Sequence, residues 1–338
     1  MLSFGELLRM FIGILANTLL AIKGSSHMFR YAEGIEKYIT SRRMEVINKN
    51  NSRIQNLRSL VKDFGKSELI KDLSYKYLEA VERCSKEIYE KPDSTISLIS
   101  NLRFLFETCI TVRLLVSEEP YKYKVRYSIY KHQLEKANSL IEYAAVDINH
   151  LSNLEMKEKT IFEQKLNESN YLEVKKEIDS FYEDLDEEIS IFLDQAEFNG
   201  AGYHQEVIKS NVSLQQKRKD EISKEWDEKK KELLKEPEAN LLFNFSNQLS
   251  KIESELKDTR NWKKKADDVG LSDMYKFIYD YTSALMHSTS YSILIPNQLD
   301  DAEVTMILSL ATRLNSDILK KIKIFSGVPN IQVVEIDG

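Results

Sequence analysis

Two charged residues lie in the most apolar stretch of the chain. Arg103 and Glu107 are four residues apart between Ile96 and Leu115, a spacing that puts them on one face of a helix and lets them pair. A charge among apolar side chains is costly unless it is paired, so one interpretation is a buried structural ion pair. The other is that Arg103 faces a pocket and binds an anion such as phosphate, with Glu107 orienting it.

A second group lies further along the chain. Asp280, Ser283 and His287 follow one another at helical spacing, and Lys276 precedes them by one turn. At about 100° per residue, these side chains share the polar side of a helix. A histidine within reach of a hydroxyl can act as a general base. The groups of a nucleophile triad have to converge, however, so helix capping or an interhelical hydrogen bond is the alternative role.

Arg126 and His132 form a third candidate pair. Small helical ribonucleases of the HEPN superfamily use an arginine and a histidine separated by four to six residues, and this pair resembles that motif. The resemblance implies that Arg126 would stabilise negative charge on phosphorus while His132 moves a proton. Residues six apart lie about 120° around a helix, so the two would share a site only at its edge or across a dimer.

Other chemistries lack their residues in this sequence. There is no HExxH, P-loop, CxxC or Gly-x-Ser-x-Gly, and the five histidines show no metal-ligand spacing. We therefore expect neither a metal ion nor a cofactor. The two cysteines, Cys84 and Cys109, do not suggest a disulfide scaffold and fit a reducing compartment, so we expect a cytoplasmic protein.

The composition indicates the fold class. Only 10 glycines and 5 prolines occur in 338 residues, too few for sandwiches, barrels or turn-rich βαβ folds. The 17 Tyr, 14 Phe and 2 Trp can build a core. A net charge of −6 gives no global electrostatic reason for nucleic-acid binding, although a local basic site is compatible with it. We expect an all-α, multi-helix bundle.

Shifts in composition divide the chain into four parts. Residues 1–28 are apolar over 7–22, which is short for a bilayer span, so they form a docked or interfacial helix, a membrane anchor or a remnant of an expression vector. Residues 29–154 are the first part of a helical core, and 237–338 are the second part with a short extended tail. Residues 155–236 are dense in Glu, Lys and Asp and predict a protruding, charged helical hairpin of the coiled-coil type.

The helix that carries Arg103 is predicted most clearly. Its apolar residues cover most helix faces, so it should lie in the middle of the bundle. Pro92-Asp93-Ser94 precedes it as a break with an N-cap signal, and Glu118-Glu119-Pro120 ends it. We expect a homodimer formed through the apolar helices.

Two separated segments resemble one family. The segment from Leu98 to Glu107, which contains an Arg-x-x-x-Glu, is similar to a helix of the DUF5677 family of bacterial helical proteins. The segment from Trp262 to His287 is similar to the closing motif of that family, a Trp followed by a Tyr-rich helix and Ser-x-x-x-His. The similarity covers about residues 70–150 and 240–325, on both sides of the charged hairpin.

The resemblance implies that Arg103, Glu107, Ser283 and His287 are signature positions. It also implies a distant relation to HEPN-type proteins, many of which are defence or toxin ribonucleases. The chain departs from the HEPN pattern, because Asp280-Tyr281-Thr282 stand where the arginine would precede His287. The expected site is therefore a composite one, with Arg103 from one helix and His287 from another.

Two hypotheses on function follow. In the first, the protein is a bacterial defence or toxin-type effector that acts on RNA or a nucleotide without a metal ion. Arg103 would bind phosphate, His287 would be the general acid and base, and Glu107 and Ser283 would set their geometry. In the second, it is a non-catalytic interaction module whose 155–236 hairpin binds a partner protein. In either case, the N-terminal helix could contact a membrane.

Overall fold

The fold is entirely helical in the part of the chain that can be described. The computed structural model describes residues 27–91, 94–165, 170–183, 201–243, 245, 249–286 and 299–329. These ranges contain eleven α-helices and no strand, which confirms the all-α prediction. Across the same ranges, no helix has the length and apolar character needed to cross a bilayer. The predictions for residues 7–22, for His287 and for a tail beyond residue 329 lie outside the described residues.

The helices fall into two compact units. The first unit holds α1–α3 and α9–α11, and the second, Tyr123–Lys257, holds α5–α8 and almost all of α4. In chain order the helices are α1 (His27–Phe64), α2 (Glu68–Glu90), α3 (Thr95–Ser117), α4 (Tyr121–Lys165), α5 (Tyr171–Glu183), α6 (Ala201–Lys235), α7 (Pro237–Leu242), α8 (Leu249–Leu256), α9 (Trp262–Asp268), α10 (Ser272–Met286) and α11 (Asp301–Ser326).

Helix α3 is the centre of the first unit. It packs against α2, α9, α10 and α11, so the predicted central position is confirmed. Leu102 and Leu105 are almost completely buried. The Ser94 side chain caps the N-terminus by accepting a hydrogen bond from the amide of Ser97, and the helix ends at Ser117. Both ends lie where the sequence predicted them.

Helices α1, α2 and α11 pack on one another beside α3. Asn315 of α11 donates a hydrogen bond to the Ser85 hydroxyl of α2 at 2.7 Å, and this buried pair fixes the register of the two helices. Helix α11 begins with a capping box formed by Asp300 and Glu303. It ends at Gly327, whose φ of +76° is a left-handed conformation that suits glycine.

The second unit is built on the two long helices α4 and α6. Their contacts run antiparallel, since Tyr130 on α4 donates a hydrogen bond to Glu225 on α6, while Ser152 pairs with Gln205. Apolar residues of α4, α5 and α6 form its core, and they are Ala144, Leu151, Leu154, Ile161, Val174, Ile178, Ala201 and Ile208. Lys229 pairs with Glu232 of the same helix, whereas Lys230 pairs both with Asp227 and with Glu253 of α8 and is only 16% exposed.

The second unit is wider than the charged segment at 155–236. Trp226 of α6 stacks on Tyr130 of α4, with ring centroids 5.2 Å apart, and contacts Tyr127 at 5.5 Å. Trp226 also donates a hydrogen bond to Glu253 of α8 at 3.2 Å. Because these contacts, rather than charge density, decide what packs together, residues 123–154 share a unit with α6 and α8.

Truncation of the core of α3 should be strongly destabilising. Leu105 is completely buried, so Leu105→Ala removes buried contacts and leaves a cavity. We expect it to lower the free energy of unfolding by about 2–5 kcal/mol. The matched control is the neighbouring Phe104, which is 40% exposed. Phe104→Ala should have the smaller effect in urea unfolding followed by circular dichroism, and equal losses would contradict the central position of α3.

Candidate functional site

Arg103 and Glu107 form an ion pair on α3 that is neither sealed in the core nor free in solvent. The Nε of Arg103 donates to Oε1 of Glu107 at 3.2 Å, and the two side chains are 30% and 29% exposed. The guanidinium carbon of Arg103 also lies 4.9 Å from the ring centroid of Tyr279 on α10, a cation–π distance. The fully buried ion pair of the first interpretation is therefore not what the structure shows.

Aromatic stacking on α10 supports this guanidinium. The Tyr275 and Tyr279 rings stack with centroids 5.3 Å apart and 18° between their planes. Phe106 of α3 contacts Tyr275 at 6.4 Å. Helices α3 and α10 therefore run antiparallel, because Arg103 contacts Tyr279 while Phe106, later on α3, contacts Tyr275, earlier on α10. Burial raises the pKa of Tyr275.

Ser283 lies one helical turn beyond Tyr279 on α10. Its Oγ is buried and has no hydrogen-bond partner in the described part of the chain, so the interhelical hydrogen bond predicted as an alternative is not formed there. Asp280 and Lys276, the other members of the predicted stripe, are exposed. Two helices that pack together carry these residues: α3 carries Arg103 and Glu107, and α10 carries Ser283. In the sequence, His287 is the residue after the described end of α10.

The alternative pair is on α4, in the second unit. His132 is 78% exposed on its side chain, and its Nδ1 lies 3.4 Å from Oε2 of Glu135. Arg126 instead interacts with Tyr130, where it opposes the burial and the Glu225 hydrogen bond that raise the pKa of Tyr130 to about 12. Arg126 and His132 therefore have different partners, and no contact joins their side chains in the described structure.

An ion-pair cluster around Arg260 holds the elements beside the site. Arg260 makes a two-pronged contact with Glu118, at 2.6 and 3.1 Å, and further hydrogen bonds with Asp258 and Asp268. Its guanidinium also lies over the Tyr121 ring at 5.4 Å. This cluster ties the segment before α9 to the end of α3. Sequence reasoning missed it, because Glu118 and Arg260 are 142 positions apart and share no motif.

A second polar contact links α3 to α11. Arg113 donates from Nε to Asp317 at 2.7 Å and from Nη1 to the Val269 carbonyl, while the Cys109 thiol donates to the same Asp317 oxygen at 3.3 Å. Burial and the nearby carboxylate raise the pKa of Cys109 to about 12. Cys84 is likewise a buried free thiol, and burial raises its pKa to about 11.

Removal of Arg260 should cost far more than removal of an ordinary surface arginine. Among the described residues, Arg260→Ala leaves Glu118 without a cation, while Asp258 keeps only Lys265 and Asp268 keeps only Lys264. We expect the free energy of unfolding to fall by about 2–4 kcal/mol. The matched control is Arg58→Ala, because Arg58 pairs with Glu82 alone at 2.7 Å and such a pair contributes about 0–1 kcal/mol. Equal losses in urea unfolding would contradict the structural role of the cluster.

Acid should weaken the first unit through Asp317. Burial acts to raise its pKa, but hydrogen bonds from Arg113 and Cys109 outweigh that effect and hold the pKa of Asp317 below its usual value. An aspartate in the unfolded chain has a pKa of about 3.9. A carboxyl whose pKa is lower in the folded protein stabilises the fold at pH values above that unfolded pKa. This stabilisation is lost as the pH falls from the unfolded pKa through the folded pKa. We therefore expect the free energy of unfolding to decline less between pH 5 and pH 3 in Asp317→Asn than in wild type. Parallel slopes in urea titrations would contradict this.

In the described residues, no group of three or more His, Cys, Asp or Glu side chains is placed to hold a metal ion. Comparisons with known proteins found no protein-family model, curated protein or solved structure that matches the chain. The similarity to the DUF5677 family and the distant relation to HEPN proteins therefore stay predictions from the sequence.

Proposed function

We propose that the protein is a bacterial effector of the defence or toxin type that cleaves RNA without a metal ion, at a site centred on Arg103. The observation that carries the proposal is the way the guanidinium is held. Its Nε is fixed by Glu107 and its face by Tyr279, while the two Nη groups have no hydrogen-bond partner among the described residues. An oriented, partly exposed fork of this kind suits a phosphate group.

The chemistry needs one cation and one group that moves protons. The 2′-oxygen of a ribose attacks the adjacent phosphorus, and the bond to the 5′-oxygen of the next nucleotide breaks. In this proposal, His287 takes the proton of the 2′-hydroxyl and then, as the imidazolium, gives a proton to the leaving 5′-oxygen. Arg103 stabilises the negative charge that develops on the phosphorane oxygens. The products are a 2′,3′-cyclic phosphate and a 5′-hydroxyl.

Glu107 and Ser283 are positioning residues in this scheme. Glu107 holds the guanidinium plane through a single hydrogen bond, so the remaining donors keep a fixed direction. Ser283 has an unsatisfied hydroxyl one turn from Tyr279, which could bind the substrate or the imidazole that follows it on the chain. The proposal retains the cytoplasmic location and the homodimer expected from the sequence.

The test is RNA cleavage by the full chain in the presence of EDTA. We expect Arg103→Ala and His287→Ala each to lower the cleavage rate by about 10²–10³, since each removes an interaction made in the transition state. Products should carry a cyclic phosphate, detected by mass spectrometry. The matched controls are Arg126→Ala and His132→Ala, which should leave the rate within about twofold of wild type if the composite site is correct.

Folding has to be separated from chemistry in this test. Arg103→Ala also removes the contact with Tyr279, so thermal unfolding should be recorded for every variant. Arg103→Met keeps much of the apolar contact and should be as inactive as Arg103→Ala. Wild-type rates in both Arg103 variants, or loss of activity only with Arg126→Ala, would contradict the proposal.

A non-catalytic interaction module is the second candidate, because large apolar side chains are exposed on the second unit. Most lie on α4 and α6, where they are Leu140, Tyr143, Val146, Met156, Phe162, Tyr203, Val207 and Leu214. Exposed apolar residues on a helical hairpin are typical of protein-binding surfaces. If cellular toxicity survives His287→Ala but is lost in Leu140→Asp with Leu214→Asp, this second function is supported instead.

A further inference from the structure

One end of the first unit combines unpaired lysines with exposed apolar side chains. Helices α1 and α11 run parallel there, since Arg53 contacts Ser316 at 3.1 Å and, further along, the amide of Lys66 donates to the Ser326 carbonyl at 3.3 Å. The two helices therefore end side by side. We call this region the basic end, and it is formed by Lys62, Phe64, Lys66, Lys320, Lys323 and Ile324.

The two apolar members of the basic end are each about half exposed. Phe64 is the last residue of α1 and is 47% exposed, and Ile324 in the last turn of α11 is 48% exposed. The Lys66 side chain lies over Gly327, immediately after α11. Lysines near helix C-termini are common, because they complement the helix dipole. That effect explains the charges but not the exposed Phe64 and Ile324.

The charge of this end is opposite to that of the whole protein. None of its four lysines forms an ion pair with a carboxylate in the described chain. Nearby carboxylates are occupied, since Glu68 pairs with Lys71 at 3.2 Å and Asp72 pairs with Lys76 at 3.1 Å. Asp63 is the acidic residue of α1 that stays exposed among them. A positive end on a chain of net charge −6 indicates an anionic partner.

We propose that the basic end docks on the surface of a membrane that contains anionic lipids. Lysine ammonium groups interact with lipid phosphates and carboxylates as point charges, and exposed Phe and Ile side chains enter the interfacial layer beside them. Nucleic acid fits less well, because these cations are all lysines without the bidentate fork of arginine.

The test is co-sedimentation of the full chain with vesicles. Wild type should bind vesicles of phosphatidylcholine with about a third phosphatidylserine and bind pure phosphatidylcholine much less. Salt near 1 M shortens the Debye length to about 3 Å and should release the protein. Lys62→Gln with Lys320→Gln should weaken binding about 25-fold, at about fivefold for each lysine. Phe64→Ser with Ile324→Ser should weaken it about tenfold.

Matched variants on the second unit control for charge and hydrophobicity. Lys217→Gln with Lys224→Gln changes the net charge equally, and Leu172→Ser with Leu241→Ser removes other exposed apolar groups. Both should bind like wild type, and because every variant retains residues 1–26, any effect of that segment cancels. Equal binding to neutral vesicles, or unchanged binding by both basic-end variants, would overturn the proposal. So would a short RNA oligonucleotide that binds through these lysines when vesicles do not.

Discussion

The enclosure of α3 is the constraint on which the rest of the first unit depends. Leu102, Leu114 and Leu115 are buried and, at about 100° per residue, lie on three different sides of the helix, so no single neighbour can cover them. Four helices are needed, and three of them, α9, α10 and α11, come from the chain after residue 257. Residues far apart in sequence therefore meet around α3. The contact between Arg103 and Tyr279 is a consequence of this requirement.

Polar contacts then fix the position of the chain after residue 257 against α3. Arg260 reaches Glu118 at the C-terminal end of the helix, and Arg113 reaches both Asp317 and the Val269 carbonyl. Arginine suits both places, because its planar fork donates in several directions at once. Apolar packing alone tolerates some sliding between helices. These fixed donors remove that freedom next to the candidate site.

Local signals predicted the elements better than the contacts between them. The ends of α3 followed from Ser94 and Pro120, and the pairing of Arg103 with Glu107 followed from a four-residue spacing. The contact with Tyr279 could not be predicted, because it depends on the antiparallel register of α10 against α3. The extent of the second unit could not be predicted either. It depends on contacts between α4 and α6, such as the stacking of Trp226 on Tyr130, and these residues are far apart in the sequence. Charge density does not indicate such contacts.

Polar groups at the interface between α3 and α10 do not use all of their donors within the described part of the chain. A buried hydroxyl without a hydrogen-bond partner costs about 1–3 kcal/mol, and Ser283 has no partner among the described residues. An alanine there would avoid that cost. Arg103 uses Nε for Glu107 and leaves its Nη groups open to solvent. The missing partner of Ser283 does not by itself distinguish a binding site from packing, because the buried Ser74 hydroxyl of α2 has no partner in the described residues either. The proposed composite site therefore rests on position: the open guanidinium and the Ser283 hydroxyl belong to two helices that pack against each other.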